Sequence, residues 1–310
     1  MSEVQVIAEI GCNHKGDMEI AKELIRVAAV TCGAHVAKFQ KRHNRELLTA
    51  EEYDRAHPVP ANAYGDTYGE HREFLELSVE QHRELQAECD KYGIIYSTSV
   101  WDVTSAREIA SLNPKLIKIP SATNLHFELQ EYLCKHYDGE IHVSTGMTTK
   151  EEIDRIVEFY EQHGRAKDLV LYACTSGYPV EFKDVCLLEI NALQKRYGNR
   201  VKMIGFSGHH LGIATDVAAM TAGVLGEQLY GGTFGYIERH FTLDRTWKGT
   251  DHSASLEPDG LRRLCRDVKN VRQTLQAKSE DVLDVEKVQR DKLKWQPRDG
   301  EVVALEGATA

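Results

Sequence analysis

Eight short runs rich in β-branched and aliphatic residues recur along the chain, most of them followed by a stretch with helical periodicity. That alternation limits the possible fold more than any other feature. The runs are Val4 to Ile10, His35 to Gln40, Ile94 to Ser99, Leu116 to Ile119, Ile141 to Ser144, Leu169 to Tyr172, Val201 to Phe206 and Tyr236 to His240. Apolar runs of this length read as buried strands. Between them, Asp17 to Cys32 sets Ile20, Leu24, Val27 and Ala28 on one stripe, and Thr149 to His163 opens with a helix start signal, Thr-Thr-Lys-Glu. Strands alternating with helices build a parallel sheet, and eight repeats predict an α/β fold of the (β/α)8 TIM-barrel type. A doubly wound sheet is the alternative, although no GxGxxG opens the first helix. The 310 residues exceed the usual single domain, but such barrels use about 250 residues as one unit.

Two regions interrupt the rhythm. Residues 41–78 form a long polar excursion after the second strand, predicted to overhang the barrel mouth with its charges as a solvated face. From residue 278 the sequence turns polar, which predicts a barrel domain over 1–277 and an extended tail over 278–310.

Lys and Arg total 38 against 48 Asp and Glu, a net charge of −10 that argues against nucleic acid or an anionic membrane as partner. An anionic substrate must therefore meet a local basic pocket. Seven cysteines, an odd number without CxxC spacing, predict reduced thiols and a cytoplasmic protein. The N-terminus lacks a leader pattern, and no apolar run approaches the roughly 18 residues of a membrane span.

In barrels of this kind the chemistry sits where strands end. Those positions hold Glu9, Asn13 and His14; Lys38 and Gln40; Thr98; Lys118 and Ser121; Ser144; Ser176 and Tyr178; Ser207 and His209; and Glu238 and His240. Glu238 and His240 are two apart, so on a strand both leave the same face. A second imidazole from the neighbouring strand would complete a divalent-metal site, and His209, Asp251 and His252 come within reach if the two strands pair. Lys38 and Lys118 lie in apolar segments, so each must meet an anion, either a substrate or an internal carboxylate such as Glu9 or Glu238. The serines suit helix capping and phosphate binding alike. Between His209 and His210 the ligand is open at this stage.

The segments IAEIGCNHKGD, AKFQK, TYGEH, IKIPS, VSTGM, ACTSGYP, FSGHH and IERHFTLDRTWKGTDHSASLEP occur in this order across residues 4–275. They resemble the sialic acid synthases, NeuB-type enzymes that condense phosphoenolpyruvate with an N-acylmannosamine. The wording is most similar to the animal-type N-acylneuraminate 9-phosphate synthases, which act on 6-phosphorylated sugars. The resemblance implies a transferase that forms a 3-deoxy-nonulosonic acid and phosphate by C–O cleavage of phosphoenolpyruvate. It implies phosphate contacts at Lys38, Thr98, Lys118, Ser121, Ser144, Ser176 and Ser207. It further implies metal ligands at His209 and His240 for Mn2+, or Mg2+ or Co2+ in its place, and sugar contacts at Gln40, Tyr178 and Asp251. Glu9, Glu238 and Lys118 would be the catalytic groups, and the enzyme a homodimer.

Three departures stand out. Ser121-Ala122-Thr123 replaces a pattern with a carboxylate in third place, a loss Asp102 could make good. His210 adds an imidazole beside the ligand. The C-terminal antifreeze-like domain usual in the family is not expected within this sequence, which leaves sugar closure to the 41–78 excursion, to Arg290, Trp295 or Arg298, or to another polypeptide. Other acceptors also fit, with Lys41, Arg42, His43, Arg45 or Lys248 free to meet a phosphate on the sugar. A Schiff-base sugar aldolase and a non-catalytic sugar-binding barrel are the competing classes.

Overall fold

A computed structural model describes residues 3–295. It divides into two units, Met1–Leu275 and Gln276–Ala310. In the first, eight parallel strands close into a barrel in chain order: β1 Gln5–Gly11, β2 Val36–Lys41, β3 Ile95–Val100, β4 Leu116–Ile119, β5 Glu140–Ser144, β6 Leu169–Cys174, β7 Met203–Gly208 and β8 Thr233–His240. Each overlaps the run read from the sequence, and the fold is the expected (β/α)8 barrel.

Strand parity decides what faces where. On β1, Val6, Ala8 and Ile10 pack against the helices, while Ile7 and Glu9 point inward. On β2, Ala37 and Phe39 face out, and Val36, Lys38 and Gln40 face in. The outer core joins these strand faces to helix residues such as Leu24, Leu85, Leu133, Val157 and Leu264. Each such side chain contributes about 1.5–3 kcal/mol on burial. Inside, Ile7, Val36, Leu116, Val170, Tyr172 and Tyr236 form an apolar layer. Above it, toward the strands' C-terminal ends, the inward positions become polar, which places the chemistry over a dry floor.

The 41–78 excursion is not an irregular loop. It holds helices Asn44–Leu47, Ala50–Asp54 and Tyr68–Phe74. Thr49 with Glu52 and Thr67 with Glu70 form reciprocal capping boxes that start the second and third of these. Nor is the tail extended throughout: Asp284–Leu293 is helical, with Asp284 and Glu286 in its first turn and Arg290 and Lys292 in its last. Trp295 ends the described residues, and Arg298 and the rest of the terminus lie outside them. Among the described residues no helix is long and apolar enough to cross a membrane.

One outward residue on β8 ties the barrel to its coat. Between Glu238 and His240, Arg239 is only 1% exposed and is ion-paired to Asp216 on helix Ala214–Tyr230. It also donates to the backbone carbonyls of Gly212 at 2.8 Å and His210 at 2.5 Å. Removing Asp216 would leave a guanidinium buried without its counter-ion. Asp216→Ala is expected to destabilise the barrel by about 3–5 kcal/mol, read from the urea unfolding midpoint against wild type.

Candidate active site

The C-terminal ends of the strands open into a cavity of about 400 Å3, a size usual for small-molecule sites. At its base two lysines and two carboxylates interlock. Lys38 Nζ is ion-paired to Glu9, donates to Ser99 Oγ at 2.8 Å and stands 3.6 Å from Glu238 Oε2. Lys118 Nζ donates to the same Oε2 at 3.0 Å and lies 3.4 Å from the centroid of the Tyr172 ring. Ser207 Oγ donates to Glu238 Oε1 at 3.0 Å. Of the two kinds of anion open to the lysines, the internal carboxylates Glu9 and Glu238 are the ones they meet here.

The two carboxylates do not share one electrostatic fate. Burial raises the Glu238 pKa, but Lys118 and Lys38 outweigh it and hold the group well below the ordinary carboxylate range. At Glu9 burial prevails over the pull of Lys38, and the pKa moves up. Lys118 is lowered, chiefly by burial, whereas Lys38 is raised because Glu238 and Glu9 overcome the same burial cost. Carboxylates whose surroundings push them apart suit different tasks. Glu238 is the fixed anion, and Glu9 is the group more readily protonated.

Over β4 to β6 the wall is lined by hydroxyls. Ser121, Ser144 and Ser176 face the cavity with Lys118 behind them. Ser121 Oγ accepts the Gly146 N–H at 3.0 Å. A methyl group at Gly146 would lie 2.8 Å from Ser121 Oγ and press on Ser176 Oγ, so only glycine lets the backbone approach this nest. Hydroxyls, an amide and an ammonium converging here form an anion cradle. Across the cavity, Gln40 Nε2 donates to Glu9 Oε1 at 3.2 Å. A Cβ on Gly11, whose φ is +54°, would meet Gln40 at 3.0 Å, Glu9 at 3.2 Å and Asp251 at 3.6 Å. Those three polar side chains therefore converge on one point.

The imidazoles of His209 and His240 come from neighbouring strand ends, with ring centroids 5.4 Å apart. Tyr178 stands edge-on to both, at 4.6 and 6.0 Å. Burial, then the neighbouring His240, lowers the His209 pKa to about 3, so its ring is neutral and a nitrogen lone pair is available. His240 Nδ1 is buried without a hydrogen-bond partner. In the β1–β8 register His240 pairs with Glu9. Among the described residues no group of three or more His, Cys, Asp or Glu is arranged to hold a metal. Two nitrogen donors remain, and they fit a cation whose other positions are left to water and substrate.

Of the residues to which the resemblance gives a role, all line this cavity except Thr98. Thr98 faces the helices and donates to Tyr96 Oη at 2.6 Å; parity gives the inward place to Ser99, which holds Lys38. Asp102 does not supply the missing carboxylate, because its oxygens accept from Ser105 N at 2.7 Å and from His43 N at 2.7 Å as a helix cap. His210 turns outward to Arg239 and Asp216, at 3.1 and 3.3 Å. Asn13 is spent on Phe241 O and Ser255 Oγ. His14 accepts from Gly16 N, and His252 sits 2.8 Å from Thr242 Oγ1. Of the basic residues considered for a sugar phosphate, only Arg42 reaches the cavity. Sequence reasoning passed over Arg72, His57, His71, Tyr68 and Trp101, which also line the cavity. The signal that could have found Tyr68, His71 and Arg72 is the capping box at Thr67, which folds part of the excursion into a helix.

The NeuB family model matches residues 24–280. The chain is 38% identical to the N-acetylneuraminate-9-phosphate synthase of Drosophila melanogaster, over 86% of this chain and 68% of that one. It is 35% identical to the enzyme of the same name from Homo sapiens, over 93% and 76%. The fold is that of the N-acetylneuraminic acid synthetase of Leptospira borgpetersenii serovar Hardjo-bovis, with a TM-score of 0.75 at 24% identity, covering 95% of this chain and 94% of that one. Together with the barrel and its cavity, these matches show that the chain belongs to the NeuB family.

Proposed function

We propose that the protein is a phosphoenolpyruvate-dependent transferase that forms a carbon–carbon bond. It condenses phosphoenolpyruvate with an N-acylmannosamine or mannose, free or 6-phosphorylated, to a 3-deoxy-nonulosonic acid and phosphate. The observation that carries this reading is the division of one cavity into two ends: a lysine and hydroxyl nest over β4 to β6, and an imidazole, Glu9, Gln40 and Asp251 face over β7 to β2. An anion and a polyol suit the two ends. The work falls to residues 1–277, and the seven free cysteines accord with a cytoplasmic setting.

His209 and His240 would hold the divalent cation, Mn2+ or in its place Mg2+ or Co2+, which supplies Lewis acidity toward the aldehyde oxygen when bound. Lys118, Ser121, Ser144 and Ser176 bind the phosphate of phosphoenolpyruvate and orient its C3 toward the sugar. Gln40, Tyr178 and Asp251 hold the sugar so that its aldehyde carbon meets that C3. As the new C–C bond forms and water adds at C2, Glu9 takes the water's proton. Lys118 and the hydroxyls then carry the phosphate away as its C2–O bond breaks. Glu238 stays ionised and keeps both ammonium groups in position.

One observation favours a second reading: burial lowers Lys118, as a Schiff-base lysine requires. Borohydride with sugar should leave Lys118 unmodified by mass spectrometry, whereas a reduced adduct would establish the aldolase. Chelation should abolish phosphate release from phosphoenolpyruvate plus N-acetylmannosamine or its 6-phosphate, and Mn2+ should restore it. His240→Ala should abolish it beyond rescue while the thermal melt is unchanged. Full turnover after chelation would refute the assignment of the imidazoles. Gly146→Ala should lower kcat/KM for phosphoenolpyruvate by roughly 10²-fold, the scale of one lost preorganised donor, with the KM for the sugar little altered.

A further inference from the structure

The excursion after β2 brings an unusual cation to the sugar end of the cavity. Arg72, on helix Tyr68–Phe74, is 7% exposed, yet among the described residues no carboxylate lies within 4.0 Å of it. Its Nε is buried without a hydrogen-bond partner. The guanidinium stacks on Trp101 and Tyr68, with its carbon 5.6 and 5.7 Å from the ring centroids. Trp101 Nε1, in the same stack, is also a buried donor without an acceptor. On Trp101 too lies Arg42, at 5.7 Å. Arg42 is satisfied, because Glu76 accepts from its Nε at 2.5 Å and Cys12 Sγ accepts from Nη2 at 3.0 Å.

Glu76 thus answers Arg42, and one full positive charge is left over at Arg72. Stacking on two rings recovers only part of the cost of burying it. His71 adds a third donor to the same wall. Its Nδ1 accepts the Tyr64 N–H at 3.2 Å, and burial lowers its pKa to about 4, so the ring is neutral with its proton on Nε2. A guanidinium without a carboxylate, an orphaned indole N–H and an imidazole N–H on one cavity wall lack the same thing, an acceptor with negative charge. The phosphoenolpyruvate nest stands elsewhere, on β4 to β6, so this wall addresses the other substrate.

We infer that Arg72, with Trp101 and His71, forms the subsite that binds a phosphomonoester carried by the acceptor aldose at the end remote from its aldehyde. The inference rests on the condensation proposed above and names the substrate class, a sugar phosphate. Arg72 is in this sense a specificity-determining residue, since a guanidinium matches phosphate in charge and geometry. Gln40 links the two parts of the sugar side: its Nε2 meets Glu9, and its Oε1 lies 3.8 Å from Cys12 Sγ, which Arg42 contacts.

Calorimetric titration of the Mn2+-loaded protein, without phosphoenolpyruvate, tests this with N-acetylmannosamine 6-phosphate and N-acetylmannosamine. Wild type should bind the phosphorylated sugar at least tenfold more tightly. Arg72→Met should lose that preference and keep its affinity for the free sugar within twofold, and Arg72→Lys should retain part of it. The thermal midpoint of Arg72→Met should equal or exceed that of wild type, because an unpaired buried charge is removed; a structural arginine would show a fall. In turnover, KM for the phosphorylated sugar should rise at least tenfold while KM for phosphoenolpyruvate holds within twofold. Equal loss for both sugars, no loss for either, or a lower midpoint would overturn the assignment. Should no aldose release phosphate from phosphoenolpyruvate, the condensation falls, and the binding preference and its dependence on Arg72 are still read on their own.

Discussion

The interlocked ion pairs at the cavity base are the constraint on which the rest depends. Lys38 and Lys118 cannot be buried without anions, and Glu9 and Glu238 cannot be buried without cations. The four inward side chains satisfy one another because the barrel's register sets Glu9 beside Lys38, and because Lys118 reaches Glu238 across the interior from β4. An apolar layer beneath keeps water from entering under them. That arrangement is costly as a stabilising device, since apolar residues of similar volume would serve the fold as well. Its use is chemical: it presents two ammonium groups, one permanent anion and one adjustable carboxyl at fixed positions.

From this base the two ends of the cavity diverge. Toward β5 and β6 the chain offers hydroxyls and a backbone amide, uncharged donors that let Lys118 set the sign of the field. Toward β8 and β1 it offers two imidazoles and acceptors. A ligand carrying a phosphate and a second ligand rich in hydroxyls are thereby sorted before any reaction. The excursion after β2 extends the sorting by adding guanidinium groups at the mouth.

Much of this was legible in the sequence because it rests on period-two alternation. The strands, the inward lysines, Glu238 with His240, and the serines after β4 to β6 all follow from where an apolar run ends. What escaped did so for physical reasons. Thr98 and Ser99 are adjacent hydroxyls, and only the register of β3 shows which points inward. His209 and His210 present the same ambiguity, resolved by the buried Asp216 that claims the second imidazole. Arg72 looked like a solvated charge because the excursion is polar throughout. Its burial depends on helices and aromatic stacking that bring distant segments together, and no local pattern encodes that.

Arg239 sits between a carboxylate that anchors the lysines and an imidazole that faces the cavity, yet it points the other way. Its grip on the helix behind β8 therefore sets the azimuth of both neighbours, much as a keel steadies a mast. Inactivating substitutions in this protein should accordingly cluster in two places: around the cavity, and on the outer helix Ala214–Tyr230, where no substrate atom ever arrives.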